Sequence, residues 1–293
     1  MTKEFDTPIL FLVFNRPETT QVVFNQIKKI KPKFLFVAAD GPRKNIKNEL
    51  DNCNKVKKII NQIDWDCELK TLYRNENLGC GIAVSSAINW FFNNVEYGII
   101  LEDDCLPNID FFNFCKTMLE THMLDKKIMQ INGYNQFGNN VLSEKYFLTK
   151  YPKIWGWATW KDRWDKYSYQ MMDWDKYILN KNGYLDCYSF LEKFVRHYVW
   201  KKTKKLLIKN SATTWDYQWS FAIMINKGLC VQPEANLIQN IGFTSGTHYK
   251  NDSTPIIEFG KLSFPLKYDN SLSNSFNNKI HNFYLKQKFR LKV

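Results

Sequence analysis

The stretch GIILEDDCLPN, Gly98 to Asn108, drives an apolar run straight into three consecutive carboxylates, Glu102, Asp103 and Asp104. Like charges in sequence repel one another, and burial strips each of hydration unless a cation or donor groups compensate. A hydrophobic strand that ends in such a cluster points to a place for something positive. YGIIL (97–101) therefore reads as a buried strand, and the carboxylates as the turn beyond its carboxyl end.

Working outward from that strand, short apolar runs alternate with amphipathic stretches, which predicts strand–helix units wound around a mainly parallel sheet. ILFLVF (9–14) is the first strand, and Pro17, suited to the first turn of a helix, opens a helix to about Ile30. KFLFVAAD (33–40) is the second strand and stops at the turn Asp40-Gly41-Pro42. A helix through NELDNCNKVKKIINQI (48–63), a third strand in CELKTLYR (67–74) and a helix from Gly79 to Asn94 lead back to the acidic strand end. Ligands of open α/β sheets bind beyond the carboxyl ends of the strands. Asn15-Arg16, Asp40, Arg74 and Glu102-Asp103-Asp104 all follow predicted strand ends, so separate turns bring polar groups to one edge. Past Asp110 the pattern is mixed: a helix through FFNFCKTMLETHML, a strand near KIMQING, the aromatic segment WGWATWKDRW, and long helices near 185–209 and 214–226. The Asn- and Ser-rich DNSLSNSFNNK (269–279) reads as a tether.

At 293 residues the chain can bury a substantial core as one large domain. It is 44% hydrophobic and 16% aromatic, too apolar for disorder, yet no apolar run approaches the ~20 residues that cross a bilayer. A soluble protein is expected. The opening MTKEFDTPILFLVF has an acid and a proline before a short apolar run, the wrong flanks for a signal peptide, so a cytoplasmic location is expected. Seven scattered cysteines with no CxxC pair indicate neither a disulfide framework nor a zinc cage. The net charge of +12 gathers in 193–209 and in the closing KIHNFYLKQKFRLKV, which has no acid. Such patches suit anionic partners.

Several residues carry candidate chemistry. Hard cations such as Mg²⁺ or Mn²⁺ take oxygen ligands, often one or two carboxylates plus substrate phosphates, and the acidic triplet suits that arrangement. Arg16 and Arg74 offer fixed guanidinium donors for phosphate or a base, or pair with a neighbouring acid. NENLGCG (75–81) puts Asn77 and Gly79 where a strand turns into a helix, allowing close backbone approach and an exposed helix N-terminus for an anion. It is neither a P-loop nor a GxGxxG motif. In TTWDYQWSF (213–221), Asp216 stands among aromatics that would desolvate it and raise its basicity, as a general base requires; it also suits a helix cap. Trp155, Trp157, Trp160 and Trp164 offer faces to sugars or bases, with core packing as the default for such residues. His248, after the glycine-rich GFTSG, is a candidate phosphate contact or a structural histidine.

Taken in order, PILFLVFNRPE, FVAADGP, RNENLGCG, GIILEDDCLPNIDFF and the long segment TTWDYQWSFAIMINKGLCVQPEANLIQNIGFTSGTH resemble the GT-A class of nucleotide-sugar glycosyltransferases, of the N-acetylglucosaminyltransferase I type and the bacterial surface-polysaccharide type. The likeness covers most of residues 8–250. It implies a single Rossmann-like α/β domain over 1–268, with a nucleotide-sugar half (1–133) and an acceptor half (134–268) carrying C-terminal helices, then a basic tail (269–293). The resemblance makes Asp104 the ligand of Mn²⁺ or Mg²⁺, and gives Glu102 and Asp103 the donor's sugar and ribose hydroxyls. Arg16 and Asp40 become nucleotide contacts, with Arg74, Asn77 and Gly79 also on the donor side. Asp216 becomes the catalytic base, and Gly242 to His248 a loop over the donor. Trp157 and Trp215 are placed at the acceptor. The triplet here is Glu-Asp-Asp where the family commonly has Asp-x-Asp, and Asp40 is followed by Gly-Pro.

The function so implied is inverting, metal-dependent transfer of a sugar, from UDP-sugar as donor, to a hydroxyl of a glycan or lipid-linked acceptor, with peripheral contact to an anionic membrane through the basic segments. A sugar-phosphate nucleotidyltransferase shares the fold and the metal logic, although LVFNRPETT lacks the Gly-rich basic loop usual near its start. A basic nucleic-acid-binding protein fits the charge, but the lysines avoid the strand-end cleft and no nucleic-acid motif is present, so no nucleic-acid partner is expected.

Overall fold

The residues ILFLV are buried along their whole length, Ile9, Phe11 and Val13 in one apolar layer and Leu10 and Leu12 in another. A strand apolar on both faces belongs inside a sheet with helices on either side. The computed structural model describes residues 4–138, 142–180, 190–211, 213–242 and 257–290. In it β1 (Ile9–Val13), β2 (Phe34–Ala39), β3 (Glu68–Tyr73) and β4 (Tyr97–Glu102) lie parallel in the order β3-β2-β1-β4, linked by α1 (Pro17–Ile30), α2 (Glu49–Ile60) and α3 (Gly79–Phe92). Pro17 opens α1, and Lys31, in the left-handed conformation at φ 48°, ends it before Pro32.

The sheet continues past β4 with β8 (Trp157–Trp160), β6 (Ile128–Asn132), β9 (Leu229–Pro233), β7 (Leu142–Thr149) and β11 (Lys261–Tyr268). β8 is antiparallel to both neighbours, whereas β6 and β9 pair parallel and keep the direction of β4. β5 (Cys105–Pro107) and β10 (Ile238–Asn240) form a separate antiparallel ribbon. Helices α1, α2 and α4 (Ile109–Thr121) cover one face of the sheet, and α3 with α8 (Asp216–Ile225) the other. The short α5 (Lys161–Trp164) and α6 (Trp174–Leu179), the long α7 (Phe190–Ile208) and the last helix α9 (Asn270–Arg290) complete the described elements. The result is the expected mixed α/β domain, with a large, mainly parallel, Rossmann-like sheet flanked by helices. No described helix is long and apolar enough to cross a membrane.

Two expectations change. The stretch 269–279 is no tether: it forms the start of α9, where Phe276 and Ile280 are buried with Phe147 and Tyr151 while Leu272 packs against them. That i, i+4, i+8 spacing is a helix signal hidden by the Asn and Ser between. The second change concerns Trp157 and Trp215, placed at the acceptor by sequence. Trp157 is 0% and Trp215 2% exposed, and the rings stack at 5.8 Å and 20°. Trp164 and Trp219 close on the same group, so neither indole has a face for an acceptor. Each well-placed ring pair contributes about 0.5–1.5 kcal/mol beyond burial. Trp157→Ala is expected to lower stability by about 3–5 kcal/mol, read as a fall in the urea midpoint at unchanged slope.

Candidate functional site

From β3 the chain returns through α3 to pair β4 on the far side of β1, so the winding direction reverses between β1 and β4. A crevice forms at the carboxyl ends of strands where such a reversal occurs. β4 carries Glu102 to that edge, and the chain turns at Asp103-Asp104 before β5. Asp103, buried, accepts the Phe14 N–H at 3.2 Å and stands 3.4 Å from Arg16 Nη2. Arg16 Nη1 donates to Asp104 Oδ2 at 2.7 Å. The turns after β1 and β4 are thus tied together by one guanidinium.

That guanidinium faces three carboxyls. Burial, reinforced by Asp104 and Asp103, pushes Glu102 up to about 8, against the pull of Arg16. Burial likewise lifts Asp103 to about 7. Burial alone would lower Arg16, but Asp103, Asp104 and Glu102 outweigh it and raise it. Asp216 opens α8 and is raised by burial, its own and Tyr217's N–H groups opposing. It adds to the negative field at Glu102, so the structure brings Asp216 into the neighbourhood of the triplet, as sequence reading expects.

Two glycines make this assembly possible. A Cβ on Gly242 would stand 2.5 Å from Asp104 Oδ2 and 2.9 Å from Arg16 Nη1, so the backbone after β10 lies directly on the ion pair. Ile241 N–H donates to the Asp104 carbonyl at 2.8 Å and holds it there. A Cβ on Gly81 would meet the Thr214 carbonyl at 2.9 Å, which is how α3 approaches the segment leading to Asp216. Sequence reading counted Gly81 among the glycines that allow close backbone approach but passed over the exposed Cys80, which stands in the field of Glu102, Asp216, Arg16 and Asp104. It also missed Glu49, which accepts from Asn15 Nδ2 at 2.8 Å and from Arg43 Nη2 at 2.5 Å and lies below its usual range chiefly because of Arg43. An acid at the first turn of α2, beside the basic Arg43, was the available signal.

The donor-side expectation for Asp40 changes. Its carboxylate accepts from Gly41 N at 3.0 Å, Leu78 N at 3.0 Å and Gly79 N at 3.1 Å. The helix N-terminus read as an anion site is already capped by this side chain from another turn. Asn77 Nδ2 donates to the Gly41 carbonyl at 2.8 Å, binding the same two turns. Arg74 Nη2 donates to Ser86 Oγ at 2.8 Å, and burial lowers its pKa against the attraction of Asp40. Asp40, Asn77, Gly79 and Arg74 therefore clamp the turns after β2 and β3 to helix α3. His248 lies outside the described residues, as does the chain from 243 to 256.

The donor set around Asp104 is oxygen, suited to Mg²⁺ or Mn²⁺. Among the described residues no group of three or more His, Cys, Asp or Glu could hold a metal ion by itself. An ion here would take Asp104 and be completed by phosphate oxygens of a ligand, and the raised, undercompensated carboxyls fit the arrival of positive charge.

No family model matches the chain, and no curated protein does. Solved structures do. HddC from Yersinia pseudotuberculosis is 10% identical, over 53% of this chain and 77% of that one, at a TM-score of 0.32. A 4-diphosphocytidyl-2C-methyl-D-erythritol synthase from Anaerococcus prevotii is 11% identical, over 64% and 83%, at 0.33. An inositol-1-phosphate CTP transferase from T. maritima is 9% identical, over 55% and 74%, at 0.33. The expectation of an inverting glycosyltransferase using a UDP-sugar is corrected against these matches: two are named for a diphosphocytidyl product or for CTP transfer, and none of the three as a glycosyltransferase.

Two outcomes follow from this geometry. Glutamate ordinarily ionises at 4.5 and Glu102 near 8, so below 4.5 folded and unfolded chains are both protonated and nothing is lost. Between those values the unfolded chain ionises first, so stability falls as pH rises and stays lowered above 8. Glu102→Gln is expected to stabilise the cation-free protein by about 1–3 kcal/mol at pH 8 and to leave it unchanged at pH 4, in urea melts. Asp40→Ala, which strips the acceptor from three N–H groups, is expected to cost about 2–3 kcal/mol, and Asp40→Asn less, by thermal melting.

Proposed function

We propose that the chain is a nucleotidyltransferase that joins a nucleoside monophosphate to the phosphate of a small, hydroxyl-bearing substrate of the sugar-phosphate kind. The observation that supports this reading is the surplus of negative charge at the β1–β4 crevice, where Glu102, Asp103 and Asp104 face the single guanidinium of Arg16. In such a reaction an oxygen of the substrate phosphate attacks the α-phosphorus of a nucleoside triphosphate, the bond to the β-phosphate breaks, and pyrophosphate leaves with the charge. Asp104 would hold a Mg²⁺ or Mn²⁺, which would supply Lewis-acid neutralisation of that charge.

The chain's own residues bind and orient. Arg16, a third exposed at its side chain, presents N–H donors to phosphate while Asp103 and Asp104 hold its plane. Gly242 leaves no side chain between the ion pair and an incoming group. The attacking phosphate is already anionic and needs no base, so Asp216 acts as acceptor for a substrate hydroxyl. On this reading residues 1–133 form the nucleotide half, 134–268 the substrate half, and 269–293 an appended basic segment.

Thermal melts with CTP, UTP, ATP and GTP, each with and without Mg²⁺, test the reading. One triphosphate is expected to raise the melting temperature only with the cation, by about 2.7 kcal/mol of stabilisation at 100-fold over Kd, and to release pyrophosphate when a sugar phosphate is added. Asp104→Asn abolishes both effects. Stabilisation equal without cation, or no pyrophosphate from any sugar phosphate, removes the proposal.

A further inference from the structure

Helix α7 carries apolar side chains on two opposite faces. Trp200 and Leu207 are buried with Tyr177 and Phe221, and Glu192 and Thr203 lie on the same inward side. One such stripe suffices to hold a surface helix to a globule. Yet Phe194, Tyr198 and Ile208 are 55%, 59% and 72% exposed, and Lys201, Lys202 and Lys205 are exposed with them. At the ~100° step of a helix these six fall within about a third of its circumference, centred opposite the inward stripe. From Lys193 to Trp215 the sequence holds no acidic residue. Helix α6 runs antiparallel beside α7, since Lys204 Nζ donates to the Gln170 carbonyl at 2.8 Å while the Tyr177 hydroxyl meets His197 Nδ1 at 3.0 Å. It carries Leu179, 88% exposed, toward the Phe194 end. Its acids Asp173 and Asp175 are offset in part by Lys176, 3.1 Å from Asp173.

We infer that this outward face of α7 docks on the surface of an anionic lipid bilayer. Ammonium groups on long stems reach lipid phosphates while aromatic and aliphatic side chains enter the headgroup boundary. A nucleic acid would use the lysines and could stack on Tyr198, but it has no use for Ile208 and Leu179, which carry no ring to stack on a base. Docking here sets the Asp216 end of the site close to the bilayer, because α8 begins a few residues after α7 and packs on it.

Flotation of the full-length protein with vesicles of phosphatidylcholine, and with vesicles containing about a third phosphatidylglycerol, tests the inference. Recovery is expected with the anionic vesicles alone and is lost as salt rises. Lys201→Gln, Lys202→Gln and Lys205→Gln together weaken partitioning ~100-fold, about 5-fold per charge. Tyr198→Ser with Ile208→Ser weakens it at unchanged net charge, and the melting temperature of both variants stays that of the parent because these side chains are exposed. Equal recovery with neutral vesicles, or with neither, overturns the inference. So does a lysine variant that floats like the parent, which would move the attraction to the C-terminal basic segment. A single-stranded oligonucleotide that outcompetes the vesicles through the same lysines would instead make the face a nucleic-acid surface.

Discussion

Arg16 holds Asp103 and Asp104 together, and the site at this sheet edge depends on that guanidinium. Three adjacent carboxyls at the end of an apolar strand repel one another and lose hydration on packing, so without a facing charge the turn after β4 would open into water. Arg16 is placed to prevent this by its own local structure. It caps the start of α1 with Pro17 at the first helical position, and its carbonyl accepts from Thr20. Burial first, and then the neighbouring carboxylates that one guanidinium does not offset, hold Glu102 and Asp103 well above the ordinary carboxylate range. Removing Arg16 would leave the buried Asp103 uncompensated.

Behind that edge the tryptophans work at one remove. Ile100 of β4, Trp157 of β8, and Trp215 and Trp219 around the start of α8 belong to one apolar cluster. The indole Nε1 of Trp219 donates to Gln130 Oε1 at 2.6 Å, fixing α8 to β6. Rigid aromatic packing sets where Asp216 stands relative to β4. The aromatics contribute position to the site, and the carboxyls contribute charge. Gly81 and Gly242 let backbone close in where a side chain would not fit.

Charge is distributed with the same polarity across the molecule. The chain carries +12 overall, yet its concentrated negative surplus lies at the β1–β4 edge, while the lysines of α7 face outward from the helix that precedes α8. Keeping those lysines away from the carboxyls avoids the ion pairs that would neutralise both, and leaves each surface its own class of partner.

The alternation of apolar and amphipathic runs through Phe92 was enough to order β1 to β4 with α1 to α3, because period and capping are written in windows of a few residues. The same local reading found the acidic strand end and singled out Asp216, which burial raises. What it could not find were facts of pairing over long separations. That β8 enters antiparallel between β4 and β6, that Asp40 spends its oxygens on Leu78 and Gly79, and that Trp157 and Trp215 cover each other all depend on contacts between distant segments. So does the burial of Phe276 and Ile280, which turns an Asn-rich stretch into a packed helix. Residue types determined the charges and the periodicities; only the tertiary structure decided which polar groups were already satisfied by the fold and which remained for a ligand, because hydrogen-bond satisfaction and solvent exclusion belong to pairs of segments and not to any one of them.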